Sequence, residues 1–148
     1  MRVLENSDGE IRNLYRQLQE KLNIEEYQGR SGYDFFHRVI HGSDLVLVYD
    51  FGFLRFDKLD YCRSIQVHGA FWSHKVMDRS WVKDTAAFVF RVFDIKKIEV
   101  AVPVNRGFRN LMGRLGFCFE GTLRKALNNG IIYEDGDIYS LCKEDIYE

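Results

Sequence analysis

Apolar positions change their period several times along the chain, and each change marks an element. Over residues 8–22 (DGEIRNLYRQLQEKL), Ile11, Leu14, Tyr15, Leu18 and Leu22 recur at helical spacing and Asp8 can cap the start, which predicts an amphipathic helix. A second, short helix is predicted over 33–40, where Phe36, Val39 and Ile40 share a face and Gly42 follows as a stop. From Asp44 onward the run LVLVYDFGFLRF is rich in strand formers and reads as two strands joined tightly at Phe51-Gly52. A third strand is expected over 61–71, with Ile65 and Val67 on its packed parity and Gln66 and His68 on its polar one. Val82, Ala86, Val89, Phe90 and Phe93 then mark one side of a helix that ends near Lys96 and Lys97, cations suited to a helix C-terminus. The strand IEVAVPV (98–104) follows directly. Strand, helix and strand in this order imply a right-handed crossover between parallel neighbours, hence a mixed sheet in an α/β fold. The last third gives a helix over 106–115 closed by Gly116, a strand from 117 to about 125, a turn at Asn128-Asn129-Gly130 and a final strand over 131–142. Residues 2–5 are the only candidates for an N-terminal strand, and no internal repeat or linker breaks the order.

Composition narrows the picture to one packed domain. The chain has 148 residues, 46% of them hydrophobic and 15% aromatic, with one proline, which suffices for a single core and excludes a disordered segment. Lysine plus arginine (21) nearly cancel aspartate plus glutamate (22), so the net charge of -1 gives a phosphate backbone no general attraction, and nucleic acid is not an expected partner. Cys62, Cys118 and Cys142 are odd in number and widely spaced, with no zinc-ligand pattern, and are read as reduced core thiols. No apolar run approaches the roughly 20 residues that span a bilayer, and the first residues lack a leader pattern. A soluble, cytoplasmic protein with no membrane contact is expected.

No nucleophile elbow, Walker loop, dinucleotide fingerprint or metal-ligand pair is present. The informative stretch lies after Glu99. Asn105 closes a strand, a helix runs to Gly116-Phe117, and Phe119-Glu120-Gly121-Thr122-Leu123-Arg124, Asn129-Gly130, Tyr133, Asp135 and Tyr139 follow. This string resembles the GNAT acyltransferase superfamily, in particular the branch that acetylates protein N-termini and related amines. The resemblance implies a mixed, mostly antiparallel sheet with a splayed central parallel strand pair and flanking helices, in which the pantetheine arm of acetyl-CoA pairs with exposed backbone as a strand would. Here the splayed pair is 61–71 with 98–104. Pro103, which donates nothing to a ladder, sits where the second strand must leave its neighbour. Val67 and Gly69 then belong to the backbone that holds the cofactor and an oxyanion, and Asn105 offers an amide that can meet the arm, cap the next helix, or do both.

Two departures from that pattern stand out. The family usually places Q/R-x-x-G-x-G/A before the crossover helix, where glycines let backbone N–H groups wrap the pyrophosphate. The stretch here is HKVMDRSWVKDTA (74–86), without glycine. Arg79 and Lys83 can add charge to such an anion site, whereas Trp81 is bulky and Asp78 and Asp84 repel phosphate. Where many members carry a tyrosine that protonates the departing thiolate, this chain has Met112, which cannot serve. Candidate bases for the attacking amine are His68, His74 and Glu120. Against them stand plainer readings: His68 as a surface histidine, Glu120 as a partner of Arg124, and Tyr133 and Tyr139 as packed aromatics.

The function implied is direct, acetyl-CoA-dependent acetyl transfer to a primary amine, with a protein or peptide acceptor expected from the resemblance and a homodimer left open. The alternative is a GNAT-like structural or interaction module without cofactor affinity, since a fold can outlive its chemistry. An accessory protein of a phage or plasmid that modifies host targets is indistinguishable from the first reading by sequence.

Overall fold

The computed structural model describes the whole chain except residues 60–62, 74, 76, 129–131 and 148, and describes only the backbone of Asn128 and Tyr147. In chain order the elements are β1 (Arg2–Val3), α1 (Asp8–Leu22), β2 (Glu26–Tyr27), β3 (Arg30–Ser31), α2 (Tyr33–His41), β4 (Leu45–Tyr49), β5 (Gly52–Leu59), β6 (Ser64–Phe71), α3 (Arg79–Val92), β7 (Lys97–Pro103), α4 (Arg106–Leu115), β8 (Cys118–Asn128), β9 (Tyr133–Cys142) and α5 (Lys143–Tyr147). Seven strands form one sheet in the order β1-β4-β5-β6-β7-β9-β8, while β2 and β3 pair apart from it. Among the described residues β6 and β7 are its one parallel pair; the other neighbours run antiparallel. This is the mixed, mostly antiparallel α/β architecture that the sequence implied. Residues 2–3 do supply an N-terminal strand, and the small β2–β3 hairpin and α5 are additions to the expected order.

Local chemistry explains the boundaries. Ser7, rather than Asp8, caps α1: its hydroxyl accepts the Glu10 N–H at 3.3 Å, and Asp8 enters the first turn. The tight connection between β4 and β5 is Asp50-Phe51, because Tyr49 already pairs with Gly52. Gly52 has no substitute there, since a Cβ would lie 2.3 Å from the Ala70 carbonyl oxygen. Gly116, at φ 95°, ends α4 as expected.

Alternation along the strands puts a core on each face of the sheet. One face carries Leu54, Phe56, Ile65, Ile98 and Leu141 against Val82, Ala86, Val89 and Phe90 of α3. The other carries Val46 and Phe53 against Ile11, Leu14 and Leu18 of α1 and Phe36 and Ile40 of α2. Neither described cysteine enters these cores: Cys118 is exposed on the outermost strand and Cys142 is half-buried, both free thiols, while Cys62 lies outside the described residues. Strand β8 has open space on one side, so parity alone did not bury Cys118. Tyr139 is packed at 3% exposure, but Tyr133, at the hairpin end of β9, is 64% exposed. The expected turn residues Asn129 and Gly130 lie outside the described residues.

Candidate functional site

Pairing between β6 and β7 runs from Ser64 with Lys97 to Gln66 with Glu99 and stops, although β6 continues to Phe71 and β7 to Pro103. The two strands therefore part at their C-terminal ends. On its other side β6 stays paired with β5 along its full length. The Trp72 N–H donates to the Phe51 carbonyl at 2.8 Å, which fixes the phase of the antiparallel ladder. Hydrogen-bonded and non-bonded pairs alternate from there, so Ala70 and His68 turn their backbone groups toward β5, and Gly69 and Val67 turn theirs toward the gap. The Gly69 position is also covered by the Phe71 ring, whose Cε2 lies 2.6 Å from where a Cβ would stand.

A cleft of about 280 Å³ opens on the α3 side of this gap. Val67, Gly69 and Phe71 of β6, Val100 and Val102 of β7, and Leu111 and Met112 of α4 are among its walls, so the lining is almost wholly apolar. Its aromatic rim is built on Trp81, whose ring centroid lies 5.3 Å from that of Tyr49, 5.8 Å from Phe51 and 6.0 Å from Phe71. The Trp81 Nε1–H is buried and has no hydrogen-bond partner among the described residues. An orphaned donor at the rim of an apolar slot is unusual, because such a group loses water without recompense.

Helices α3 and α4 flank the cleft and are tied to each other by Arg79. Its Nε donates to the Arg114 carbonyl at 3.3 Å and its Nη2 to the Gly113 carbonyl at 3.4 Å, the open C-terminal end of α4. Lys83 is exposed on α3. Helix α3 starts at Arg79 and Asp78 caps it, its carboxylate accepting the Trp81 N–H at 2.8 Å. An anion of the chain itself thus already faces the end of α3 where a phosphate would bind. At the other helix, Asn105 caps α4, its Oδ1 accepting from Gly107 N–H at 2.7 Å and Phe108 N–H at 3.3 Å, while its amide nitrogen has no partner among the described residues. The cap reading is thereby realised without using the donor half of the side chain. Behind α4, the fully buried Asp137 accepts from Arg109 Nε at 2.8 Å and from the Thr122 hydroxyl at 2.6 Å, and these bonds hold its carboxyl below the usual carboxylate range.

His68 sits between Val67 and Gly69 in sequence but on the opposite face of the sheet. Its Nε2 is 3.7 Å from Asp57 Oδ2. Arg55, only 5% exposed, donates to the same carboxylate and, through Nε, to the Tyr27 hydroxyl at 3.1 Å. Burial above all, and then the Arg55 charge, pull the imidazole down to about 4 against the opposing pull of Asp57. His68 is neutral at pH 7. Glu120 is exposed on β8 and accepts from the Ser140 hydroxyl; no ion pair joins it to Arg124 among the described residues. Three strand spacings, about 14 Å, separate β8 from β6, so the structure does not bring Glu120 to His68. His74 lies outside the described residues.

Arg55, Asp57 and Glu99 escaped the sequence reading, and Asp78 was read there as repelling phosphate rather than as a cap, although an Asp immediately before a helical run signals one. The pair Arg55 and Asp57 was legible as opposite charges two residues apart, on one parity of a strand. Glu99, at the point where the strands part and on the His68 face, carried no signal of its own; its carboxylate meets Lys97 Nζ at 2.9 Å.

No protein-family model and no curated protein matches the chain. Solved structures do. A mutant of the spermidine N-acetyltransferase SpeG from Vibrio cholerae superposes with a TM-score of 0.69 at 21% identity, over 98% of this chain and 95% of that one. The Vibrio cholerae spermidine N-acetyltransferase in complex with CoA and spermine gives 0.73 at 18% identity, over 99% and 96%. A dodecameric structure of the spermidine N-acetyltransferase from the same organism gives 0.71 at 18%, over 97% and 92%. With its parted parallel strands, flanking helices and near-complete overlap with these enzymes, the chain has the GNAT-like fold of the N-acetyltransferases.

Proposed function

We infer that this protein is an acetyl-CoA-dependent N-acetyltransferase acting on a primary amine. One observation carries the reading: β6 and β7 part over an apolar cleft, leaving Val67 and Gly69 with backbone groups turned into the gap. Acetyl-CoA supplies the acetyl group already activated as a thioester. Its arm alternates amides with short apolar links, and the chain offers both kinds of partner: strand-like backbone at Val67 and Gly69, and apolar walls. The free amide nitrogen of Asn105 adds a donor at the α4 side. Cofactor on the α3 side leaves the opposite face for the acceptor, where Gln66, His68 and Ala101 are half-buried and α1 and α2 cover the β4–β5 side. There neutral His68 can accept a hydrogen bond from the incoming amine and orient it, and water takes the proton, because an imidazole held near 4 does not retain one. Among amines we place polyamines first, since the structural neighbours are spermidine enzymes and one holds spermine. The protein or peptide acceptor suggested by the resemblance has no comparable support.

The glycine-free turn and the Asp78 carboxylate on α3 favour a second reading, a module that keeps the fold without the cofactor. Thermal unfolding of the protein and of Asn105→Ala, each with and without millimolar acetyl-CoA, separates the two. For the enzyme, acetyl-CoA raises the midpoint by mass action, and the rise shrinks in the variant by an amount equivalent to about 1 kcal/mol of binding. No rise in the unmodified protein ends the enzyme reading; loss of stability alone in the variant is what the module reading expects.

A further inference from the structure

We propose that the cleft that takes acetyl-CoA also accepts longer acyl chains, and that it binds acyl-CoAs of about four to six acyl carbons more tightly than acetyl-CoA; this rests on the reading of the gap as the cofactor slot. The backbone positions able to pair with an amide-bearing arm lie at Val67 and beyond, on the open side of the fork. Gln66 and Glu99 close it. An arm held at those positions brings its thioester to the fork and ends there.

The cleft does not end there. It continues beneath the paired part of the sheet, one row past the fork, where Ile98 and Leu141 face Val82 and Ala86 of α3, and sideways under Leu54 and Phe56 of β5. All six are apolar and buried. Thr85, in the same wall, has its hydroxyl bonded to that of Tyr49 at 2.9 Å. Water would find too few partners in this floor, and an empty apolar void forfeits its contacts. One methyl group at the fork leaves the row below untouched; a chain of several methylenes fills it. Ala86 is the smallest of the six, one helical turn from Val82, and a larger side chain there would fill part of the floor. The chemistry is unchanged by chain length. The amine nitrogen bonds to the acyl carbon, the carbon–sulfur bond breaks, sulfur leaves with the electron pair as the thiolate of CoA, and the ammonium proton passes to solvent.

Calorimetric titration of the unmodified protein with CoA, acetyl-CoA, butanoyl-CoA and hexanoyl-CoA tests this without any assay of activity. Each methylene that enters the floor is expected to tighten binding by about fourfold. Ala86→Val, which fills part of the floor, is expected to erase most of that gain. If CoA binds but affinity is flat or falls from acetyl to hexanoyl, the proposal is overturned and the slot reading stands. If the gain survives in Ala86→Val, the chain goes elsewhere and the proposal is again overturned. Failure of CoA itself to bind overturns both.

Discussion

His68 illustrates how one residue's surroundings decide its chemistry. As a histidine on a strand it would titrate near 6.5, in the range where a base works best at neutral pH. Burial and the neighbouring Arg55 move it to about 4. Titration of its ring protons by NMR should therefore show a midpoint near 4, and activity should show no step from His68 between pH 5 and 8; a midpoint at 6 or above would mean the ring is solvated. The shift also acts on stability. The unfolded chain takes up this proton near 6.5 and the folded chain only near 4, so His68 withdraws stability as pH falls from 6.5 toward 4 and none above 6.5. Asp57, the carboxylate 3.7 Å away, is committed to Arg55, which explains why proximity alone does not restore the imidazole's basicity.

Helix α3 carries its own anion at its N-terminus, and that is the element most open to a decisive change. Replacing Asp78 by Ala removes the cap and should cost about 1 kcal/mol of stability in urea unfolding. Asp78→Asn keeps the capping oxygen and loses the charge, so stability should hold while acetyl-CoA binds more tightly than to the unmodified protein. Equal affinity in the Asn variant would put the phosphates away from α3. At this scale much was readable beforehand. Periodicity and stop signals located α1, α2, α3 and α4, the strand-helix-strand order anticipated the parallel pair, and its parting followed from the family resemblance; Pro103 does not mark the fork, because pairing with β6 ends at Glu99 while Pro103 still pairs with Gly136 of β9. The β2–β3 hairpin was not readable, because two-residue strands have no period, and α5 was hidden because its five residues continue directly from a strand. For the site, parity put Val67 on the packed face of its strand, opposite to His68, but neither the position of the cleft relative to those faces nor the commitment of Arg79 to α4 follows from spacing, since both depend on contacts between distant segments.

The molecule as a whole is held at its C-terminal half by one buried carboxylate. Asp137 joins α4, β8 and β9 through Arg109 and Thr122. Its acidity is enhanced in the fold, so its stabilisation is complete above the ordinary aspartate value of 3.8 and disappears as pH falls below that through its lower folded value. Urea unfolding at a series of pH values should show Asp137→Asn less stable at pH 7 and with a shallower loss between pH 4 and 2; parallel curves for the two proteins would contradict the role. The same hairpin settles how the molecule meets its neighbours in a crowded solution. Strand β8 is the free border of the sheet, with Phe119 and Leu123 more than half exposed. Its register against β9 slips twice, between Phe119 and Gly121 and between Leu123 and Leu127, with Arg124 and Lys125 in the second slip. A foreign strand approaching that border meets a donor–acceptor row out of step at two points and a pair of cations, so the greasy rim cannot template the strand-by-strand growth of an amyloid-like fibre.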